Sequence, residues 1–419
     1  MPSLTAERLI RTLCRPTGRI APGSRRGGLL PLLLGVLALL LSLLALVADS
    51  AHLWQSRQEL QIAADASALA GVQALALDEL LSPQPGQTAN VAHRARAVAQ
   101  DVALKNPAAG LPTQLEFNAG QDPESDLVFG FYEPATRQFL PARPEELDWP
   151  VLNALRVVAR RTQERGNPVR LFLGRWVHRT EADVAAGALA ILDRDVIGFQ
   201  AVPRTTIPLM PLLLFSDPTS KDERSWEAQV EQHLTGPAAE LPLMVVTLPL
   251  DPESASDPNG WLLRLGLESG AEMAGWARQV QQGLSPADLA DFNGALIVPE
   301  LEPLVVPAEE FLPSWPSADL RRLYQALTAL SLTREARAWP IGALAGVGSD
   351  GRPQATVTRF VAARIEAVEV DGPPEPRLRL VLRPCSMVTT TAATIGTWPG
   401  ARRGPVLVNP YIAKARLVK

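Results

Sequence analysis

The chain has 419 residues, a net charge of −4 and 47% hydrophobic residues. That is room for one membrane anchor plus two modest domains or one large one, with apolar content left for a real core. The mild acidity, with no basic face interleaved with aromatics, excludes nucleic acid as a partner.

Residues 1–28 are basic. Arg8, Arg11, Arg15, Arg19, Arg25 and Arg26 stand against one acid, Glu7, and Pro16, Pro22 and four glycines argue against fixed structure. Then comes LLPLLLGVLALLLSLLALVA, residues 29–48, in which Ser42 is the only polar side chain. At ~1.5 Å per residue it spans about 30 Å, the hydrocarbon thickness of a bilayer. In lipid the backbone must satisfy its own hydrogen bonds, so the run is expected to be a transmembrane helix. Pro31 falls in the first turn, where its missing N–H has no partner in any case. A buried core helix is the competing reading, but such a helix normally carries polar residues. A cleaved signal peptide is the other. Its apolar region is usually about 7–15 residues, and small residues at −3 and −1 are hard to place around Ala45 to Ala51. An uncleaved signal anchor is therefore expected. The arginines before the run, against the balanced Asp49, His52, Arg57 and Glu59 after it, put the N-terminus in the cytoplasm and about 370 residues outside.

Helix is expected to continue over residues 49–81, which are Ala-rich and contain Gly71 but no proline. Leu53, Leu60, Ala64, Ala68, Gly71 and Leu75 recur at three- and four-residue spacing and make one narrow face. Its small side chains let another backbone come close. Two uses of that face stay open: packing on the chain's own ectodomain, or packing on a partner.

Arg25-Arg26-Gly27 before the run, Asp49 just past it, and RQELQIAADASALAGVQAL together resemble the N-terminal signature of the TadG-like proteins of tight-adherence (Flp) pilus assembly. The matching positions include Leu60, Gln61, Ala63, Ala64, Asp65, Ala68, Leu69, Ala70 and Gly71. The resemblance implies a single-pass, non-enzymatic component of the bacterial inner membrane with a periplasmic or extracellular C-terminal domain. Its implied partners are the lipid bilayer and pilus-assembly or pilin-like proteins, with Ala64, Asp65, Ala68 and Gly71 as the interaction residues. Later segments (DLVFGFYEPATRQF, NALRVVARRTQERGNPV, LRLGLESGAEMAGWARQVQQGLSPADL) resemble a planctomycete-type branch with longer ectodomains. Two departures matter. Gly28 is followed at the prepilin-peptidase offset by Leu33, not glutamate, and Asp65-Ala66-Ser67-Ala68-Leu69 lacks the second serine of a von Willebrand A metal site.

Residues 82–125 read as a linker with a short helix, VAHRARAVAQDVALKN. Residues 126–216 read as β-rich. DLVFGFYE and RQFLP form a hairpin, LNALRVVARRT and VRLFLGRWV are strand candidates, and VAAGALAIL fits either period. TTIPLMPLLLF is too short to cross a bilayer and reads as an extended buried edge. Residues 217–419 read as α+β. SWEAQVEQHL is helical, LMVVTLPL is a strand, and AEMAGWARQVQQGL is a helix ending at Gly283. Ser285-Pro286 and Ser317 start further helices, the second with Leu320, Leu323, Tyr324, Leu327 and Leu330 on one face. The tail from Trp339 is β, with turns at GSDG and DGPPEP. Since strands are not regularly interleaved with helices, the fold class is α+β with a mostly antiparallel sheet.

Catalytic, cofactor-binding and metal residues are not expected, and no small-molecule substrate is identified. His52, His93, His178 and His233 lack partners at ligand spacing. Gly346-Val347-Gly348-Ser349-Asp350-Gly351 fits a dinucleotide motif formally, but strand-like sequence follows where a helix is required, so it reads as a hairpin turn. Asp251, Glu253, Asp257 and Asn259 could hold calcium but read as a solvated loop, and Arg160, Arg161 and Arg165 as a solvated strand end. Cys14 and Cys385 fall on opposite sides of the membrane and cannot pair. The alternative function is a membrane-tethered extracytoplasmic enzyme or ligand-binding protein unrelated to pili.

Overall fold

The computed structural model describes residues 29–82, 88–147, 152–174, 179–234, 241–250, 258–267, 272–298, 304–309, 317–349, 351–371, 377–396 and 408–418. The basic segment 1–28 and Cys14 lie outside them.

One helix, α1 (Leu29–Gln73), holds the apolar run and the Ala-rich segment as far as Gln73, eight residues short of the expected end at Leu81, and a separate 3-10 turn, Asp78–Leu80, follows. Over Leu30–Gln73 it is long and apolar enough to cross a membrane, and its most apolar window is wholly uncovered by the rest of the chain. Leu32, Leu39, Leu44 and Leu46 are all more than half exposed. An aqueous surface does not tolerate such a stripe, whereas lipid does.

The emergent half of α1 lies on a six-stranded sheet. Its order is β16 (Met387–Val388), β18 (Ile412–Leu417), β6 (Val184–Asp193), β3 (Ala154–Arg161), β1 (Leu127–Glu133) and β2 (Gln138–Pro141). The pairing is antiparallel except β16 with β18. The run that fitted either period is β6, and here period two wins. Ala186, Ala188 and Ala190 point to α1, and the small-on-small contact lets helix and sheet approach closely. Helix α2 (Thr88–Lys105) joins this layer through Ala92, Ala95, Ala99 and Ala103, all buried. The stretch read as a linker thus supplies part of a hydrophobic core.

A seven-stranded sheet follows. Its order is β12 (Leu304–Glu309), β10 (Gly260–Leu263), β8 (Leu212–Phe215), β13 (Arg337–Val347), β14 (Pro353–Asp371), β15 (Arg377–Pro384) and β9 (Met244–Pro249). An added β12–β14 pairing closes β12, β10, β8, β13 and β14 into a ring. β8 corrects one expectation. Leu212–Phe215 is not an edge but an interior strand, antiparallel to β10 and parallel to β13. Its prolines, Pro208 and Pro211, precede the strand and remove no ladder donor from it. Leu212, Leu213 and Leu214 are buried on both faces, which accounts for an unbroken apolar run.

Helices α4 (Glu272–Gln282) and α5 (Ala318–Thr333) pack on each other, and α5 packs on β14. Gly283 at φ +80° ends α4, and the Ser317 hydroxyl caps α5 by accepting from the Leu320 N–H at 3.1 Å. Ser285 and Asp288 cap a 3-10 turn, Pro286–Phe292. A π turn, Glu227–Glu231, runs into the short α3 (Gln232–Leu234). Small sheets of β11 (Ala295–Ile297), β7 (Val196–Gln200) and β17 (Ala392–Thr394), and of β4 (Val169–Arg170) with β5 (Glu181–Ala182), complete a mixed α+β, mostly antiparallel fold. The first sheet takes β16 and β18 from the C-terminal region, so the chain returns to it after building the second.

Candidate interaction surface around the anchor helix

Ala64 and Ala68 are completely buried, and their neighbours are the first sheet and α2. Gly71 is buried too. A Cβ there would stand 2.4 Å from Leu155 Cδ2 and 3.1 Å from Ala99 Cβ, so only glycine fits without a shift. Asp65 is half-buried and accepts from Gln61 Nε2 at 2.7 Å, and the same nitrogen donates to the Gly187 carbonyl in β6 at 2.9 Å. The small-residue face therefore meets the chain's own first sheet and α2. Its opposite face stays open, with Gln55, Gln58, Ile62 and Gln73 exposed and Leu69 half-buried.

The turn just beyond α1 is tied to the second sheet. Asp78 pairs with Arg364 and accepts from the Ser386 N–H at 2.7 Å, while the Leu77 carbonyl accepts from the Ser386 hydroxyl at 3.0 Å. At the membrane end, Asp49 is buried although it directly follows the apolar run. Its Oδ1 accepts from the N–H of Phe172 at 2.8 Å and of Leu173 at 3.2 Å. The rings of His52 and Phe172 meet at a tilt of 53°, with centroids 4.7 Å apart. Phe172 and Trp54 are each 67% exposed, an unusual state for aromatics in water. A groove of about 460 Å³ runs beside Trp54, between Leu53, Trp54 and Arg57 on the helix and Asp183, Val184 and Ala185. Sequence reasoning placed Asp49 in the helix but missed Phe172, whose RLFLG context reads as an ordinary buried strand.

The other polar candidates are absorbed by the fold. Arg160 and Arg165 both pair with Asp126, which is fully buried, and Arg161 donates to the carbonyls of Ala108 and Asn167. Asn259 is buried, donating to the carbonyls of Val245 and Arg224 and accepting from the Thr247 N–H. Asp251, Glu253 and Asp257 lie outside the described residues, as does His178. His93 stacks on Phe117. Gly348 and Gly351 close the turn between β13 and β14, where the Gly351 N–H donates to the Gly348 carbonyl. Among the described residues no group of three His, Cys, Asp or Glu could hold a metal.

Two buried clusters carry perturbed titration. Arg359 bridges Glu227 at 2.9 Å and Glu231 at 2.8 Å. Burial works to lower its pKa, but the two carboxylates outweigh it and hold the guanidinium above its ordinary value. The Tyr411 hydroxyl donates to Glu231, accepts from the Trp226 indole N–H, and is pushed up by burial. Burial also pushes the Cys385 thiol up to about 12, which leaves it protonated and unreactive at neutral pH. A cleft of about 170 Å³ is lined by Tyr132, Asn153, Ile191, Asp193 and Asp195. Burial and neighbouring Asp193 raise the Asp195 carboxyl, yet the cleft is smaller than the roughly 300–1,000 Å³ of ordinary small-molecule pockets.

Residues 27–74 match the model of the Flp pilus-assembly TadE/G-like family. The match covers α1 almost residue for residue and leaves the strand-rich remainder outside it. No curated protein and no solved structure matches the chain.

Proposed function

We propose that the protein is a single-pass, membrane-anchored component of Flp-type pilus assembly that works by position and contact, without catalysis. The TadE/G-like match over residues 27–74 supports the pilus connection and the membrane anchor. The observation that carries the mechanism is the continuity of α1. One unbroken helix has its first half bare of protein contacts and its second half clamped between β6, β3 and α2. Any displacement of the anchor in the membrane is then transmitted to the ectodomain without an intervening hinge. In this reading Ala64, Ala68 and Gly71 fasten the rod to its own sheet. Contacts with pilin-like or assembly proteins fall to the lipid-facing half and to the open stripe of Gln55, Gln58 and Ile62. The arginines before the run support a C-terminal domain on the periplasmic or extracellular side of the inner membrane.

The test is photo-crosslinking in cells from positions 36, 40 and 62, combined with loss of surface pili on deletion of the gene. Adducts with pilus-assembly or pilin-like proteins are expected. Normal piliation in the deletion strain, with adducts only to lipid, would overturn the reading.

A further inference from the structure

The membrane-proximal end of the ectodomain presents apolar aromatic surface at a defined height. Ala48 ends the apolar run, and His52 stands four residues beyond it, about 6 Å along the axis at ~1.5 Å per residue. The polar interfacial layer outside the hydrocarbon is about 5–7 Å deep on each side. Phe172 is held at the height of His52 by the contact of their rings, and its backbone is fixed by Asp49. The described backbone around it is paired across the hairpin. The Leu171 N–H donates to the Thr180 carbonyl at 2.9 Å, and the Arg179 N–H donates to the Gly174 carbonyl at 2.9 Å. Gly174 is required there, since a Cβ would lie 2.0 Å from the Arg179 carbonyl oxygen. Trp54 is two residues farther along the helix, about 9 Å beyond the run at ~1.5 Å per residue, with its side chain directed back toward the membrane as helical side chains are, and it is exposed like Phe172. Arg170 and Arg179, both exposed, flank the tip.

We infer that the β4–β5 hairpin is a second membrane contact: Phe172, together with Trp54, lies in the interfacial layer of the outer leaflet while Arg170 and Arg179 face lipid phosphates. The occupant of this surface is the bilayer because the surface continues directly from the lipid-facing side of α1. Aromatic rings at this depth sit in the region they favour, and arginines beside them meet anionic headgroups. Asp49 serves the same end. A carboxylate at the lipid boundary is poorly tolerated when bare, and the hairpin N–H groups satisfy it while locking the tip in place. The ectodomain would thus rest on the membrane at two points and hold a fixed tilt. This inference needs the membrane span but not the pilus assignment, so it can fail or hold independently of the proposed function.

The test uses the full chain, reconstituted alone in vesicles of phosphatidylcholine and phosphatidylglycerol. Spin labels are placed at 54, 172 and 332 in a chain carrying C14A and C385A. Leu332 is the aqueous control, being 81% exposed and five residues before β13, whose Arg337 registers with Ala363 beside the Asp78-paired Arg364 at the far end of the rod. Accessibility to oxygen relative to a water-soluble nickel chelate should be several-fold higher at 172 than at 332, and close to that at 54. D49A should bring the value at 172 down toward that at 332. A value at 172 equal to that at 332 in the otherwise unmodified chain would overturn the inference. Because a label can disturb the hairpin, a photoreactive phenylalanine analogue at 172 gives a second readout, with lipid adducts expected and their absence counting against the contact.

Discussion

Gly71→Ala tests whether the small-residue face holds the rod to its own sheet. Alone on a helix, this change stabilises by up to about 1 kcal/mol, because alanine is the better helix former. Here the new methyl would stand 2.4 Å from Leu155 Cδ2 and 3.1 Å from Ala99 Cβ. Overpacking of that kind costs about 1–3 kcal/mol, so the net result should be a loss of about 0–2 kcal/mol. Leu155→Ala removes the obstructing side chain and alone should cost about 2–5 kcal/mol, as Leu155 is fully buried. In that background Gly71→Ala has room and should recover its helix benefit, giving a favourable coupling of about 1–3 kcal/mol in the double-mutant cycle. The assay is urea denaturation of the detergent-solubilised full chain, followed by tryptophan fluorescence. Coupling below roughly 0.3 kcal/mol, with Gly71→Ala stabilising in both backgrounds, would refute the contact.

Three other outcomes follow from the same geometry. Arg359→Ala leaves the nearly buried Glu227 carboxylate without its cation and should destabilise by about 3 kcal/mol, read as a lower urea midpoint. Asp49→Ala strips the acceptor from the Phe172 and Leu173 N–H groups, so hydrogen exchange at those two amides should accelerate. Cys385, raised from 9.0 to about 12, keeps its proton in the folded chain while an unfolded thiol loses it. Its contribution to stability is complete below pH 9.0 and falls as pH rises toward about 12. Stability should decline across that window, and C385A should flatten the decline. Maleimide at neutral pH should label Cys385 only after unfolding.

The apolar helix was legible in the sequence, since an uncharged apolar run of twenty residues has one physical solution next to lipid. So were the caps at Ser317 and Ser285, which depend on side chains a few residues away. The small-residue face was legible as a face but not by its occupant. Ala64, Ala68 and Gly71 say only that something comes close, and it took the equally small Ala186, Ala188 and Ala190 to show what does. β8 was misread as an edge because prolines beside an apolar run suggest one, whereas its parallel neighbour β13 arrives more than a hundred residues later. Phe172 escaped for the same reason: its exposure is set by Asp49 and His52, far away in the chain.

The central claim is that one helix roots the chain in a bilayer with its large C-terminal part outside. Protease added to intact spheroplasts, with an epitope tag after Lys419 as the reporter, tests it most directly. The account predicts loss of the tag while a short N-terminal membrane-embedded fragment survives. A tag that stays protected until the cells are lysed would contradict it.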